Sequence, residues 1–126
     1  MRDRTLWTWH VTAGLVVLIL LGLHMAIMHL DHMLQVFNPT GGQAEDWANV
    51  VARMKSTFFA VSYVLLLGAA LYHGLYGLRN ILLEMSTDAG LRRIVRVGLW
   101  LVGLGLFGYG AYAAVLAPRV AAGVGG

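Results

Sequence analysis

Residues 6–30 read LWTWHVTAGLVVLILLGLHMAIMHL, an almost unbroken apolar run. At a rise of about 1.5 Å per residue, a run of roughly 25 residues crosses a hydrocarbon core of about 30 Å with some tilt. Trp7 and Trp9 stand at its start beside Arg2 and Arg4, the aromatic belt and basic flank expected at a cytoplasmic membrane face. The run is too long for a signal-peptide core, and no small-residue cleavage site follows it, so it reads as a retained first span.

The composition agrees with that reading. Of the 126 residues, 59% are hydrophobic and only 12% are charged, with a mean hydropathy of +0.71, whereas about a quarter of an ordinary soluble domain is charged. There is no cysteine, which excludes disulfides, thiolate zinc sites and iron–sulfur ligation within this chain. Any metal chemistry must use histidine or carboxylate. The net charge of +3 is small, and no basic patch supports a nucleic-acid partner.

Outward from the first span, residues 31–55 are polar and turn-rich, with Asn38-Pro39-Thr40-Gly41-Gly42 as a breaker cluster. Within them, residues 44–55 form a short interfacial helix that carries Trp47. A second span covers about 56–83, a loop about 84–96, and a third span about 97–116. The fold expected is all-α, an integral membrane protein of three transmembrane helices, with residues 1–126 as one membrane-anchor domain. Arg2, Arg4, Arg92, Arg93 and Arg96, with Arg79 nearby, lie on one side, against Arg53, Lys55 and Arg119 on the other. The positive-inside rule puts the N-terminus and the 84–96 loop in the cytoplasm and the 31–55 loop and C-terminus outside. The Gly/Ala-rich tail after Pro118 reads as loosely ordered.

Ionisable side chains inside an apolar span are costly enough to mark function by default. His73 sits in Leu71–Glu84, LYHGLYGLRNILLE, with Gly77 four residues on and on the same face. A missing side chain one turn from an imidazole leaves space for a flat macrocycle, and histidine in a helical bundle is a common axial ligand of haem iron. Arg79 lies about a turn and a half further on, where a long side chain can swing to a propionate. The alternative is a histidine hydrogen-bonded to a neighbouring helix. Glycines crowd all three spans and admit close helix packing; the third span has no histidine and reads as scaffold.

The run His73, three residues, Gly77-Leu78-Arg79, with an acid at Glu84, resembles the second span of the cytochrome b membrane-anchor subunits of succinate dehydrogenase and fumarate reductase. His10-Val11-Thr12-Ala13-Gly14 is similar to the family's His-Arg-x-Ser/Thr-Gly element in its His and Gly spacing. The resemblance implies that His73 ligates haem b with Arg79 near the propionates, in half of a haem-binding bundle completed by a second anchor subunit. It further implies an iron–sulfur subunit and a flavoprotein as partners, with FAD and iron–sulfur clusters only in those, quinone as electron partner, and the cytoplasmic (inner) membrane as location. Three departures, Asn80, Val11 and Trp7, weaken the transfer of the family's cytoplasm-side ubiquinone site.

His24 lies 14 residues after His10, about 40° around the helix. With spans starting at Leu6 and ending at Leu83, His24 is roughly 27 Å and His73 roughly 15 Å from the cytoplasmic end. Axial ligands of one haem sit at nearly equal depth, so His24 and His73 do not share an iron. Their separation of roughly 12 Å suits two haems stacked across the membrane, each with its second ligand from another chain, which resembles the two-haem anchors of menaquinone-linked members. His29 competes with His24 as outer ligand. His29, Asp31 and His32 are titratable groups at the outer interface that could exchange protons with a quinol, or form a plain solvated helix end. His10, at the cytoplasmic mouth, reads as a propionate or quinone contact.

The dicarboxylate chemistry is expected on the flavoprotein, since this chain has no flavin or nucleotide motif. Competing readings are the b-haem anchor of another quinone-linked oxidoreductase, or a non-redox three-span assembly protein with structural histidines.

Overall fold

A computed structural model describes residues 2–34, 41–43 and 45–124, apart from the side chains of Arg2, His32, Ala121, Ala122 and Val124. Five helices follow one another: α1 (Arg2–Leu34), α2 (Trp47–Met54), α3 (Thr57–Glu84), α4 (Ala89–Val115) and α5 (Ala117–Val124). α1, α3 and α4 are each long and apolar enough to span a membrane. Helices suit this solvent because every interior backbone group is satisfied within its own segment.

α3 is the middle element, packed against α1 on one side and α4 on the other. Among the described residues the buried apolar ones are Met54, Ala60 and Pro118, while Leu18, Leu101, Leu104 and many others are more than half exposed. A soluble bundle of this length would hide such side chains. Here they face lipid or partner helices, and association rests on close backbone approach. Leu75 lies against Gly103, where an added Cβ would fall 2.8 Å from its Cδ1, and Phe107 lies against Gly68. Glycines of each helix thus seat a side chain of the other.

Residues 89–96, expected as loop, are helical, and only Met85–Asp88 separate α3 from α4. The Asp88 carboxylate accepts from the Leu91 backbone N–H at 2.8 Å, a side-chain N-cap, and nothing after it breaks the helix. Arg92 turns back and donates to the Leu83 and Ser86 carbonyls at 3.3 and 3.4 Å, where a cation favourably meets the carbonyl end of α3. The tail after Pro118, expected to be loosely ordered, continues as helix to Val124 within α5, which packs against α4 and α2.

At the opposite end, Gly41 and Gly42 take φ of +74° and +76°, the left-handed region that glycine enters without steric cost. The buried Asn49 side chain donates to the Gly41 and Gln43 carbonyls at 2.8 and 2.9 Å and ties that turn to α2. The remainder of the expected breaker cluster, Asn38-Pro39-Thr40, lies outside the described residues.

Candidate functional site

The histidines sit at two levels of the α1–α3 pair. At the level nearer the N-terminus, the rings of His10 and His73 stack face to face, centroids 4.2 Å apart and planes within 1°. Each ring lies over the other helix's glycine. A Cβ on Gly14 would fall 2.8 Å from His73 Cε1, and one on Gly77 would fall 3.5 Å from His10 Cε1. The sequence holds the pattern twice, as His10-x-x-x-Gly14 and His73-x-x-x-Gly77, and two antiparallel helices carrying it fit reciprocally. The space beside Gly77, expected to admit a macrocycle, holds the His10 ring.

His73 Nδ1 lies 3.0 Å from the His10 carbonyl oxygen. A carbonyl only accepts, so Nδ1 carries the proton and Nε2 keeps its lone pair. That is how a histidine is commonly set up to ligate a metal, the second nitrogen being fixed by a backbone acceptor. The bond depends on Gly14, because any side chain there would stand where the imidazole approaches. His10 Nδ1 is buried and has no hydrogen-bond partner among the described residues.

His10 was expected nearer the membrane mouth than His73. α1 begins at Arg2, four residues before the expected start at Leu6, whereas α3 ends at Glu84, one residue past the expected Leu83, so His10 lies deeper than its place in the apolar run suggests and its ring meets that of His73. Tyrosines complete this level. The Tyr72 hydroxyl donates to the Leu6 carbonyl at 3.1 Å, and Tyr76 tilts against His10 at 5.1 Å.

Arg79 lies 5.6 Å over the Tyr76 ring and donates to Asn80 Oδ1 at 3.1 Å. By the helical step it stands about 120° around α3 from His73 and only about 20° from Tyr72. It lines a crevice between α3 and α4, away from the His73 ring that it was expected to serve.

The second level holds His24, whose ring meets Tyr63 edge-on at 5.3 Å. Tyr63 precedes His73 by ten residues, which separates the levels by about 15 Å along α3. His24, Ser62, Tyr63 and Arg53 line a crevice of about 240 Å³ walled by Leu20, Ile27 and Phe59. Arg53, from α2, roofs it. Its guanidinium lies 3.8 Å from the Asp31 carboxylate, with the side chains 5% and 1% exposed, and it also bonds to the Tyr63 side chain.

The expected outer cluster of titratable groups is divided. Asp31 is buried in this ion pair, His29 is exposed, and the His32 side chain lies outside the described residues. Arg53 and Tyr63 are the contributors that sequence reasoning missed. Nothing local marks Arg53, which read only as a flanking charge.

These features define a class: a three-span membrane helical bundle with histidines held inside it at two depths. Residues 1–107 match the family described as "Succinate dehydrogenase/Fumarate reductase transmembrane subunit", and the chain belongs to that family. It is 33% identical over 87 residues to a protein of Archaeoglobus fulgidus named "Succinate dehydrogenase hydrophobic membrane anchor subunit", covering 69% of this chain and 65% of that relative's length. No solved structure matches.

Proposed function

We propose that this membrane-anchor subunit binds haem b through His73 Nε2 and passes electrons between an iron–sulfur partner and membrane quinone, menaquinone in this reading. The observation that carries it is the His73 Nδ1–H bond to the His10 carbonyl at 3.0 Å, which leaves Nε2 as a fixed lone-pair donor inside a membrane helix. Haem bound there supplies one-electron chemistry. The His10 ring, stacked parallel on His73 at 4.2 Å, would not supply a second ligand to the same haem, and in this reading that ligand would come from a second anchor subunit. The unpartnered His10 Nδ1 would offer the bound group a polar contact, and Gly14 and Gly77 hold both rings in register.

The family membership and the A. fulgidus relative's name support a membrane anchor associated with other subunits of such a complex. In this reading those are a flavoprotein with FAD carrying the dicarboxylate reaction and an iron–sulfur subunit, and the basic residues of the N-terminal end put that end on the inner side of the cytoplasmic membrane. The test is a reduced-minus-oxidised spectrum of the purified complex. The b-type band should be present in the wild type and diminished in His73→Ala with the subunits still assembled.

Two readings apply to His24. As an axial ligand, with His29 as its competitor, it would hold a second haem about 15 Å from the first. The crevice around it favours the second reading. At about 240 Å³, with His24, Ser62 and Tyr63 as polar groups on apolar walls, it suits a quinone ring better than a macrocycle. Haem stoichiometry per complex separates the two.

A further inference from the structure

A crevice of about 550 Å³ lies between α3 and α4, with Leu6 of α1 also in its lining; it shares Tyr72 and Tyr76 with the histidine level, and the reading above gives it no ligand. Its walls are apolar, with Leu75 on α3 and Leu104 and Phe107 on α4, and at one end stand Arg79, Arg96 and Trp100. From Arg79 back to Gly68 along α3, and from Arg96 on to Phe107 along α4, the lining runs eleven residues, or about 16 Å. That is the depth of one leaflet, half of a hydrocarbon core of about 30 Å.

The charge at its head is unbalanced. Arg79 stacks on Tyr76 and donates to the neutral Asn80; Arg96 Nε donates to the Arg92 carbonyl at 3.4 Å. Among the described residues the one carboxylate–cation pair within 4.0 Å is Asp31–Arg53, at the other end of the bundle. Both guanidiniums therefore keep N–H donors that meet no anion, and their planar forks match phosphate oxygens. Trp100, 69% exposed, is the amphipathic ring expected at headgroup level.

We infer that this crevice binds one anionic phospholipid, its phosphate between Arg79 and Arg96 and an acyl chain along Leu75, Leu104 and Phe107. The apolar length selects a lipid over a free anion, and the two arginines select an anionic headgroup over a zwitterionic one. At the usual contribution of a basic residue near an anionic membrane surface, two arginines give phosphatidylglycerol a preference of about 30-fold over phosphatidylcholine.

The test is native mass spectrometry of the purified complex, delipidated and then titrated with dioleoyl phosphatidylglycerol or dioleoyl phosphatidylcholine. The wild type should retain one phosphatidylglycerol with the stated preference. Arg79→Gln/Arg96→Gln should bring the two lipids to about parity, and Arg79→Lys/Arg96→Lys, which keeps the charge, should restore most of the preference. Leu104→Trp, which fills the groove, should reduce retention of both lipids. Equal retention of the two lipids by the wild type would overturn the inference. So would displacement of the lipid by millimolar inorganic phosphate, or cross-linking of a photoreactive residue at position 104 to a partner subunit in place of lipid. The b-type spectrum of the same samples reports on the haem reading separately, so failure of one leaves the other standing.

Discussion

The two ends of the α1–α3 pair are joined by opposite means. Near the N-terminus the helices meet because side chains are missing: His10 and His73 each fill the gap left by a glycine on the facing helix. At the far end they meet because charges are present: Arg53, brought by α2, inserts between Asp31 of α1 and Tyr63 of α3. Interlocking of the first kind depends closely on shape, since even one added Cβ at Gly14 would fall 2.8 Å from His73. A buried ion pair fixes which elements are joined, and it is costly to break but less exacting in shape. The first end is thus the more closely interlocked of the two, the place where the proposed haem ligand sits, and the second is a crevice lined by His24, Tyr63 and Arg53.

Several substitutions would break this contrast. The largest effect is expected at the far end. Arg53→Ala leaves the Asp31 carboxylate buried without its cation, and a loss of about 3–5 kcal/mol is expected. It would be seen as a lowered thermal midpoint of the purified complex, whereas Asp31→Leu/Arg53→Met should recover most of the loss. Next comes Gly14→Ala, whose new Cβ would stand 2.8 Å from His73. The imidazole must move off the His10 carbonyl, at a cost of about 1–3 kcal/mol for overpacking, with a shifted b-haem spectrum as the specific sign.

Tyr72→Phe removes the bond to the Leu6 carbonyl and should cost about 1 kcal/mol with the spectrum unchanged. Gly77→Ala sharpens the comparison most finely. Its Cβ meets His10 at 3.5 Å, an ordinary contact, so a change below about 1 kcal/mol is expected, well under that of Gly14→Ala. If the two alanines behaved alike, the asymmetry between the histidine seats would be lost.

Much of this was legible in the residues. Three apolar runs of sufficient length became three helices long enough to span a membrane, and a short helix carrying Trp47 stands within residues 44–55, where one was expected. The helix limits were not legible at their ends: Arg92, Arg93 and Arg96 look like loop charges, yet they lie on α4 because Asp88 caps it and Arg92 closes the turn. A separate extension, of α1 back to Arg2, hid the level match of His10 and His73, since depth counted from the ends of apolar runs carries the error of those ends. The repeated His-x-x-x-Gly spacing was the available signal, readable once α1 and α3 are taken as antiparallel neighbours. Arg53 had no such signal, because its partners Asp31 and Tyr63 lie on two other elements, α1 and α3. The direction of Arg79 was set by helical phase: a six-residue step turns it away from His73, and a long side chain does not by itself undo that.

The measurement that bears most directly on the central claim is the reduced-minus-oxidised spectrum of the intact complex carrying His73→Ala, with subunit content checked on the same sample. Loss of the b-type band at the N-terminal level, with all subunits present and the band retained in His24→Ala, is the predicted result. A full-strength band in His73→Ala would contradict it and return His73 to the role of a structural histidine bonded to the His10 carbonyl.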